Sequence, residues 1–99
     1  MTDLKPLKDK TAIVTGAGRG IGMAIAKGFA KAGANVSIAA RSKEDLSSVE
    51  TQIKKFNSNV VAYQTDVSQS EDVDALVNNT LKSFGRIDIL VNNAGISGH

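Results

Sequence analysis

Apolar residues along the chain alternate between two patterns. The first is a short, continuous run bounded by glycine or polar residues: Ala12-Ile13-Val14, Val36-Ser37-Ile38-Ala39-Ala40, Val60-Val61-Ala62-Tyr63 and Ile89-Leu90-Val91. Runs of this length read as strands, and Ala12-Ile13-Val14, closed by glycine, reads as one covered on both faces. The second is a helical stripe. Ile21, Ala24, Ile25, Gly28, Phe29 and Ala32 fall on one face of a helix, with Lys27 and Lys31 turned outward, and Gly33 stands where a helix C-terminal glycine is expected. Ser42 caps a second helix, with Asp45 completing a variant capping box and Leu46, Val49, Ile53 and Phe56 as its stripe. Asn57-Ser58 breaks that helix. Ser68 and Glu71 form another capping box, and Val73, Leu76, Val77, Thr80, Leu81 and Phe84 repeat the stripe up to Gly85.

Strand and helix alternate three times before a final strand. That order predicts an α/β fold of parallel strands joined by right-handed helical crossovers. In the dinucleotide-binding form of such a fold, a Rossmann-type doubly wound parallel sheet, about four strands with three helices take the order 3-2-1-4. The sheet is expected to be incomplete, because its fourth strand would be left as an apolar edge. The sequence Leu-Val-Asn-Asn occurs at 76–79 and again at 90–93. The first copy lies within a helical stripe and the second ends a strand, so the echo is coincidental.

Composition narrows the class without naming a function. The chain has 99 residues, 41% hydrophobic and 22% charged, which suits one globular domain. No apolar run is long enough for a membrane span, and the segment Met1–Pro6 lacks the apolar core of a signal peptide. Cysteine is absent, so thiolate metal sites and disulfides are excluded and a cytoplasmic protein is expected. The single histidine is His99, so no metal cluster is expected. Charge is uneven: residues 1–43 carry eight basic and two acidic side chains, and residues 44–99 carry four basic and eight acidic. The basic residues are scattered and there are four aromatics, a poor match to a nucleic-acid-binding surface.

The segment Thr15-Gly16-Ala17-Gly18-Arg19-Gly20-Ile21-Gly22 joins the first strand to the first helix. Such a turn must be tight, and its backbone must approach a pyrophosphate without β-carbons intervening. The helix that follows directs free N–H groups and a partial positive charge at the phosphates. The most common glycine fingerprint would need glycine at position 21, where isoleucine stands. A phosphate-loop NTPase would need lysine after its last glycine, where Met23 stands. The spacing that fits is Gly16-xxx-Gly20-x-Gly22 after Thr15.

With that motif the sequence resembles the short-chain dehydrogenase/reductase family, whose signature is Thr-Gly-xxx-Gly-Ile-Gly. Three further segments carry the resemblance: Asp66-Val67 after the third strand, Gly85-Arg86-Ile87-Asp88 before the fourth, and Asn92-Asn93-Ala94-Gly95 closing it. The resemblance extends from Lys10 to Gly98. It implies a nicotinamide cofactor held by Gly16, Gly20, Ile21 and Gly22, with Asp66 and Val67 around the adenine and Asn92, Ala94 and Gly95 at the end of the fourth strand. Arg19, inside the turn, is placed either to stack on the adenine or to join the phosphate cluster. It also implies a small carbonyl or alcohol substrate and a homo-oligomer in the full-length form.

The end of the second strand bears on which cofactor binds. An acid there would accept the ribose 2′-hydroxyl of NAD, whereas an arginine accommodates the 2′-phosphate of NADP. The residues present are Ala40, Arg41 and Ser42. Arg41 offers a bidentate fork to phosphate and Ser42 adds a hydroxyl, so NADP(H) is expected to be preferred over NAD(H).

Members of the family are commonly about 250 residues long and carry a serine and a Tyr-xxx-Lys pair in their second half, as the resemblance implies. Here the sole tyrosine is Tyr63, and Val67 stands four residues later. Residues 1–99 therefore read as the N-terminal part of one dinucleotide-binding domain, without catalytic residues, contributing the cofactor half of an NADP(H)-dependent oxidoreductase. A noncatalytic binding or interaction module that keeps the fold is the alternative. A methyltransferase-type domain is a weaker one, since it would have no use for Arg41.

Overall fold

The computed structural model describes residues 5–93. Four strands, β1 (Thr11–Thr15), β2 (Asn35–Ala40), β3 (Val60–Gln64) and β4 (Ile89–Asn92), alternate with three helices, α1 (Gly20–Lys31), α2 (Lys43–Lys54) and α3 (Ser70–Phe84). All pairings are parallel and the strand order is β3-β2-β1-β4, as expected. In register, Ile13 lies between Ser37 and Leu90, and Val14 between Ile38 and Val91. The carboxyl ends of the strands meet at the gap between β1 and β4, where the strand order reverses. In open sheets of this kind a ligand crevice forms at that point.

Burial follows from the layering. All of β1 is buried, because α1 and α2 lie on one face of the sheet and α3 on the other. Val14, Val36 and Ile38 pack with Ala26, Ala30, Val49 and Ile53 on the first face. Ile13 and Ala39 meet Leu76 on the second, with Tyr63 as a partly buried packing residue. There the buried Thr80 hydroxyl lies 2.8 Å from that of Ser37, a polar contact that fixes α3 over β2. β4 is the exposed edge: Leu90 keeps 65% of its surface open.

Three sequence expectations need correction. The buried face of α1 consists of Gly22, Ala26 and Ala30, with Ile25 and Phe29 half-buried beside them. Ile21, Ala24 and Gly28, expected to be inside, are exposed, and Ile21 retains 70% of its surface. The reason is steric. At Gly22 a β-carbon would lie 2.1 Å from Gly16 O, so the start of the buried face admits no side chain, and alanines continue it. The face is therefore rotated by about one residue, and Lys27 becomes half-buried, bonded through Nζ to Gln52 Oε1.

The second correction concerns the start of α3. Its N-cap is Gln69, with no side-chain cap, and Ser68 lies outside the helix. The Ser68 hydroxyl and amide both donate to Asp66 Oδ1, at 2.6 and 3.0 Å, so Ser68 serves the loop instead of the helix. Ser42, in contrast, caps α2 as expected by accepting from Asp45 N–H at 3.2 Å. Gly33 and Gly85 follow α1 and α3 in left-handed backbone conformations. Phe56, placed in the α2 stripe, lies beyond the helix and exposed, with Lys31 Nζ 5.5 Å from its ring centre.

Two side chains bind elements together in ways the stripes do not show. Asn57 Nδ2 donates to Ala30 O and Ala34 O, both at 2.9 Å, closing the C-terminal end of α1. Asp88 sets the start of β4. Its Oδ2 accepts from Thr11 N–H at 2.9 Å, its own N–H donates to Thr11 O at 2.9 Å, and Arg86 clamps the carboxylate at 2.7 and 2.8 Å. Arg86, followed by the Thr11 amide, lowers the Asp88 pKa from 3.8 to about 2. A depressed carboxylate pKa contributes stability above its unfolded value that is lost as pH falls through the folded one. Acid titration between about pH 4 and 2 is therefore expected to weaken the β1–β4 junction. Hydrogen exchange at Thr11 N–H as pH is lowered checks this, and Asp88→Asn should remove the acid dependence of that exchange.

Candidate functional site

The cleft at the strand carboxyl ends has a volume of about 1070 Å³. The glycine turn forms one wall, the end of β2 the floor, and the loop after β3 the opposite wall. Gly16, Arg19, Gly20 and Ile21 line it from the turn, Arg41 and Ser42 from the end of β2, and Asp66 and Val67 from the loop. Eight of the residues singled out from sequence thus converge on one space.

The turn is shaped for close backbone approach. Gly20 lines the cleft with φ +62°, and the space that a β-carbon there would take is open, with no atom within 4 Å. Gly22 has a different role. It does not line the cleft. A β-carbon there would lie 2.1 Å from Gly16 O and 2.7 Å from Asn93 Nδ2, so glycine at 22 lets α1 seat against its own turn.

The start of α1 differs electrostatically from those of the other helices. No side chain caps it among the described residues, and its first turn holds no acid. α2 has Ser42 as cap and Glu44 and Asp45 in its first turn, and α3 has Glu71 and Asp72. The partial positive charge of those two helix ends is met by acids of their own first turns; α1 supplies none of its own and opens onto the cleft. A diphosphate fits this donor set, because free N–H groups and open glycine backbone suit its oxygens.

The Asn92-Asn93 pair connects the two signature segments. Asn93 N–H donates to Thr15 Oγ1 at 3.0 Å, and Asn93 Nδ2 donates to Gly16 O at 3.2 Å. The Thr15 hydroxyl lies 3.1 Å from Asn92 Oδ1. The end of β4 therefore holds the glycine turn in position. Asn93 lines the cleft, whereas Asn92, the residue expected from sequence, does not. Ala94 and Gly95 lie outside the described residues.

Charge in the cleft is mixed. Arg19 is exposed, 88% of its side chain open, with Nε 3.8 Å from Asp45 Oδ2. Arg41 is exposed at the end of β2, where Gln64 Nε2 donates to its carbonyl at 3.0 Å. The hydroxyl and amide of Ser68, and then the Arg41 charge, hold the Asp66 carboxyl below its ordinary pKa. Asp66 N–H donates to Asp72 Oδ2 at 2.9 Å, which fixes the loop against α3. Ile21 and Val67 present exposed apolar surface to the same space, suited to a flat ring. Asp45 and Asn93 are among the cleft residues that sequence reasoning misses. The capping pattern assigns Asp45 to the helix, and the strand-end motif points to Asn92 rather than to its neighbour.

Comparison with known proteins agrees with this geometry. Residues 10–99 match the family model described as short chain dehydrogenase. A sorbose reductase of Candida albicans is 43% identical over 95 residues, covering 96% of this chain and 34% of the relative. A hydroxysteroid dehydrogenase from Escherichia coli superposes with a TM-score of 0.88 at 38% identity, over 93% of this chain and 38% of that one. A 3-ketoacyl-(acyl-carrier-protein) reductase from Brucella melitensis, solved with NADH, gives a TM-score of 0.78 at 42% identity, over 84% of this chain and 33% of that one. The chain spans about a third of the length of the curated relatives it matches. The parallel sheet in 3-2-1-4 order, the glycine turn opening α1 and the match over residues 10–99 agree: the chain belongs to the short-chain dehydrogenase/reductase family.

Proposed function

We propose that this chain supplies the cofactor-binding half of an oxidoreductase that moves hydride between NADP(H) and a small carbonyl or alcohol substrate. The observation that carries the reading is the uncapped, acid-free start of α1 opening onto a cleft that also holds Arg41 and Ser42. The nicotinamide, when bound, supplies or accepts the hydride. The chain's own residues bind and orient it. The α1 amides and the glycine turn hold the diphosphate, Val67 and Asp66 flank the adenine, and Arg41 with Ser42 and Arg19 meets the 2′-phosphate. Asn93 keeps the turn in register with β4.

No catalytic residue is assigned within residues 1–99. The serine and Tyr-xxx-Lys that the family resemblance implies are not among them. Relatives are named as reductases of sorbose or of a 3-ketoacyl group, which supports a carbonyl substrate class for this chain. Association into a homo-oligomer and a cytoplasmic location belong to the same reading; among the described residues, no helix is long and apolar enough to cross a membrane.

Titration of the intact protein with NADPH and with NADH, followed by nicotinamide fluorescence, tests the proposal. Both are expected to bind saturably, NADPH about tenfold or more tightly, as a charge-assisted contact to one extra phosphate would produce. Equal affinities would remove the NADP preference, and absence of binding by either would remove the function.

A further inference from the structure

The strand end bears no acid, yet the cleft holds two, Asp66 on the loop after β3 and Asp45 on α2. Asp45 enters it from the first turn of α2, beside Arg41, Ser42 and Arg19. Three observations fix its position. Its amide is held by the Ser42 hydroxyl at 3.2 Å. Its β-carbon lies against the glycine turn so closely that a β-carbon on Gly18 would come within 2.9 Å of it. Its carboxylate lies 3.8 Å from Arg19 Nε, and 39% of the side chain is open to solvent.

We propose that Asp45 is a specificity-determining residue that limits the preference for a 2′-phosphorylated cofactor. This rests on the assignment of Arg41 to the 2′-phosphate. The physical reason is competition for the same cations. In the free cleft the Asp45 carboxylate partners Arg19, and a phosphate arriving between Arg41 and Arg19 must share that guanidinium with it. The phosphate also meets the carboxylate's negative charge at short range in a part-open cleft, where screening by water is incomplete. A cofactor with a free 2′-hydroxyl brings no charge to this position and is spared both costs. Asp45 thereby offsets part of what Arg41 contributes, and NAD(H) stays a usable second cofactor.

The test is Asp45→Asn in the intact protein. The substitution keeps the shape packed against Gly18 and the backbone amide that Ser42 caps, and removes the charge. NADP⁺ is expected to bind about three- to tenfold more tightly, with the dissociation constant of NAD⁺ changed by less than about twofold, and the gain should shrink as salt is raised. An unchanged or weaker NADP⁺ affinity overturns the proposal. A matching loss of NAD⁺ affinity also overturns it, and assigns Asp45 to the ribose hydroxyl instead. Arg41→Ala, measured in parallel, separates this failure from failure of the site itself. If Arg41→Ala leaves the NADP⁺/NAD⁺ ratio unchanged, the 2′-phosphate does not lie at Arg41. If the ratio falls and Asp45→Asn does nothing, the role of Asp45 alone is wrong.

Discussion

Gly22→Ala is expected to destabilise the protein by about 2 kcal/mol or more and to abolish nicotinamide cofactor binding. Helix propensity alone argues the opposite, since alanine in place of an interior glycine contributes about 1 kcal/mol of stability. Packing outweighs it. The new methyl would lie 2.1 Å from Gly16 O, a backbone atom of the turn that cannot rotate away, and 2.7 Å from the Asn93 amide. Overpacking of this kind costs roughly 1–3 kcal/mol where side chains can move aside, and more where backbone must move. Relief would require α1 to lift from the sheet or the turn to open, and either change breaks the Asn93–Gly16 contact at 3.2 Å. Gly28→Ala is the control. Gly28 lies in the same helix, with nothing within 4 Å of an added β-carbon, so there the propensity term acts alone and a gain of up to about 1 kcal/mol is expected. Denaturant unfolding of the two variants should give shifts of opposite sign. Shifts of the same sign would mean that Gly22 is not a close-approach position.

Arg41→Ala is expected to weaken NADP⁺ binding by about 10- to 100-fold and to leave NAD⁺ within about twofold, as removal of one charge-assisted contact to phosphate predicts. The side chain is exposed, and the hydrogen bond this residue makes in the fold, from Gln64 Nε2 at 3.0 Å, uses its backbone carbonyl, which alanine keeps. Loss of stability therefore cannot imitate the effect, and an unchanged melting temperature should accompany it. Arg41→Lys provides a finer test, because lysine keeps the charge and loses the planar fork. Partial retention of NADP⁺ affinity would identify the bidentate geometry as the source of the remainder. Full retention would show that charge alone is used, and a parallel loss of NAD⁺ affinity would show that Arg41 holds a part common to both cofactors.

Much of this site is legible in local sequence. Four apolar runs mark the strands; Ala12-Ile13-Val14 in β1 is covered on both faces and carries no polar residue, whereas β4, at the edge, is half open. Gly16, Gly20 and Gly22 mark the turn by spacing, and Ser42 marks the start of α2, because a cap bonds an amide three residues away. Features of this kind depend on atoms close together in the chain. The capping pattern fails at Ser68 because Asp66, two residues before it, offers its hydroxyl and amide a better acceptor. Sequence periodicity cannot weigh that competition.

The chain's own pattern thus determined the α/β class and the place of the glycine turn, since both follow from local periodicity and spacing, and the strand order followed from the dinucleotide-binding fold that the turn indicates. Tertiary structure decided the rest. It selected Gly22, Ala26 and Ala30 as the inner face of α1 and left Ile21 outside, because Gly22 seats against the backbone of the glycine turn, where a β-carbon would lie 2.1 Å from Gly16 O. It assigned Asn57 to the end of α1 and Asn93 to Gly16 O, contacts spanning 27 and 77 residues. It also carried Asp45 from a capping position into the cleft beside Arg19. Each of these depends on which surfaces meet once the sheet is assembled, and no window of neighbouring residues contains that information.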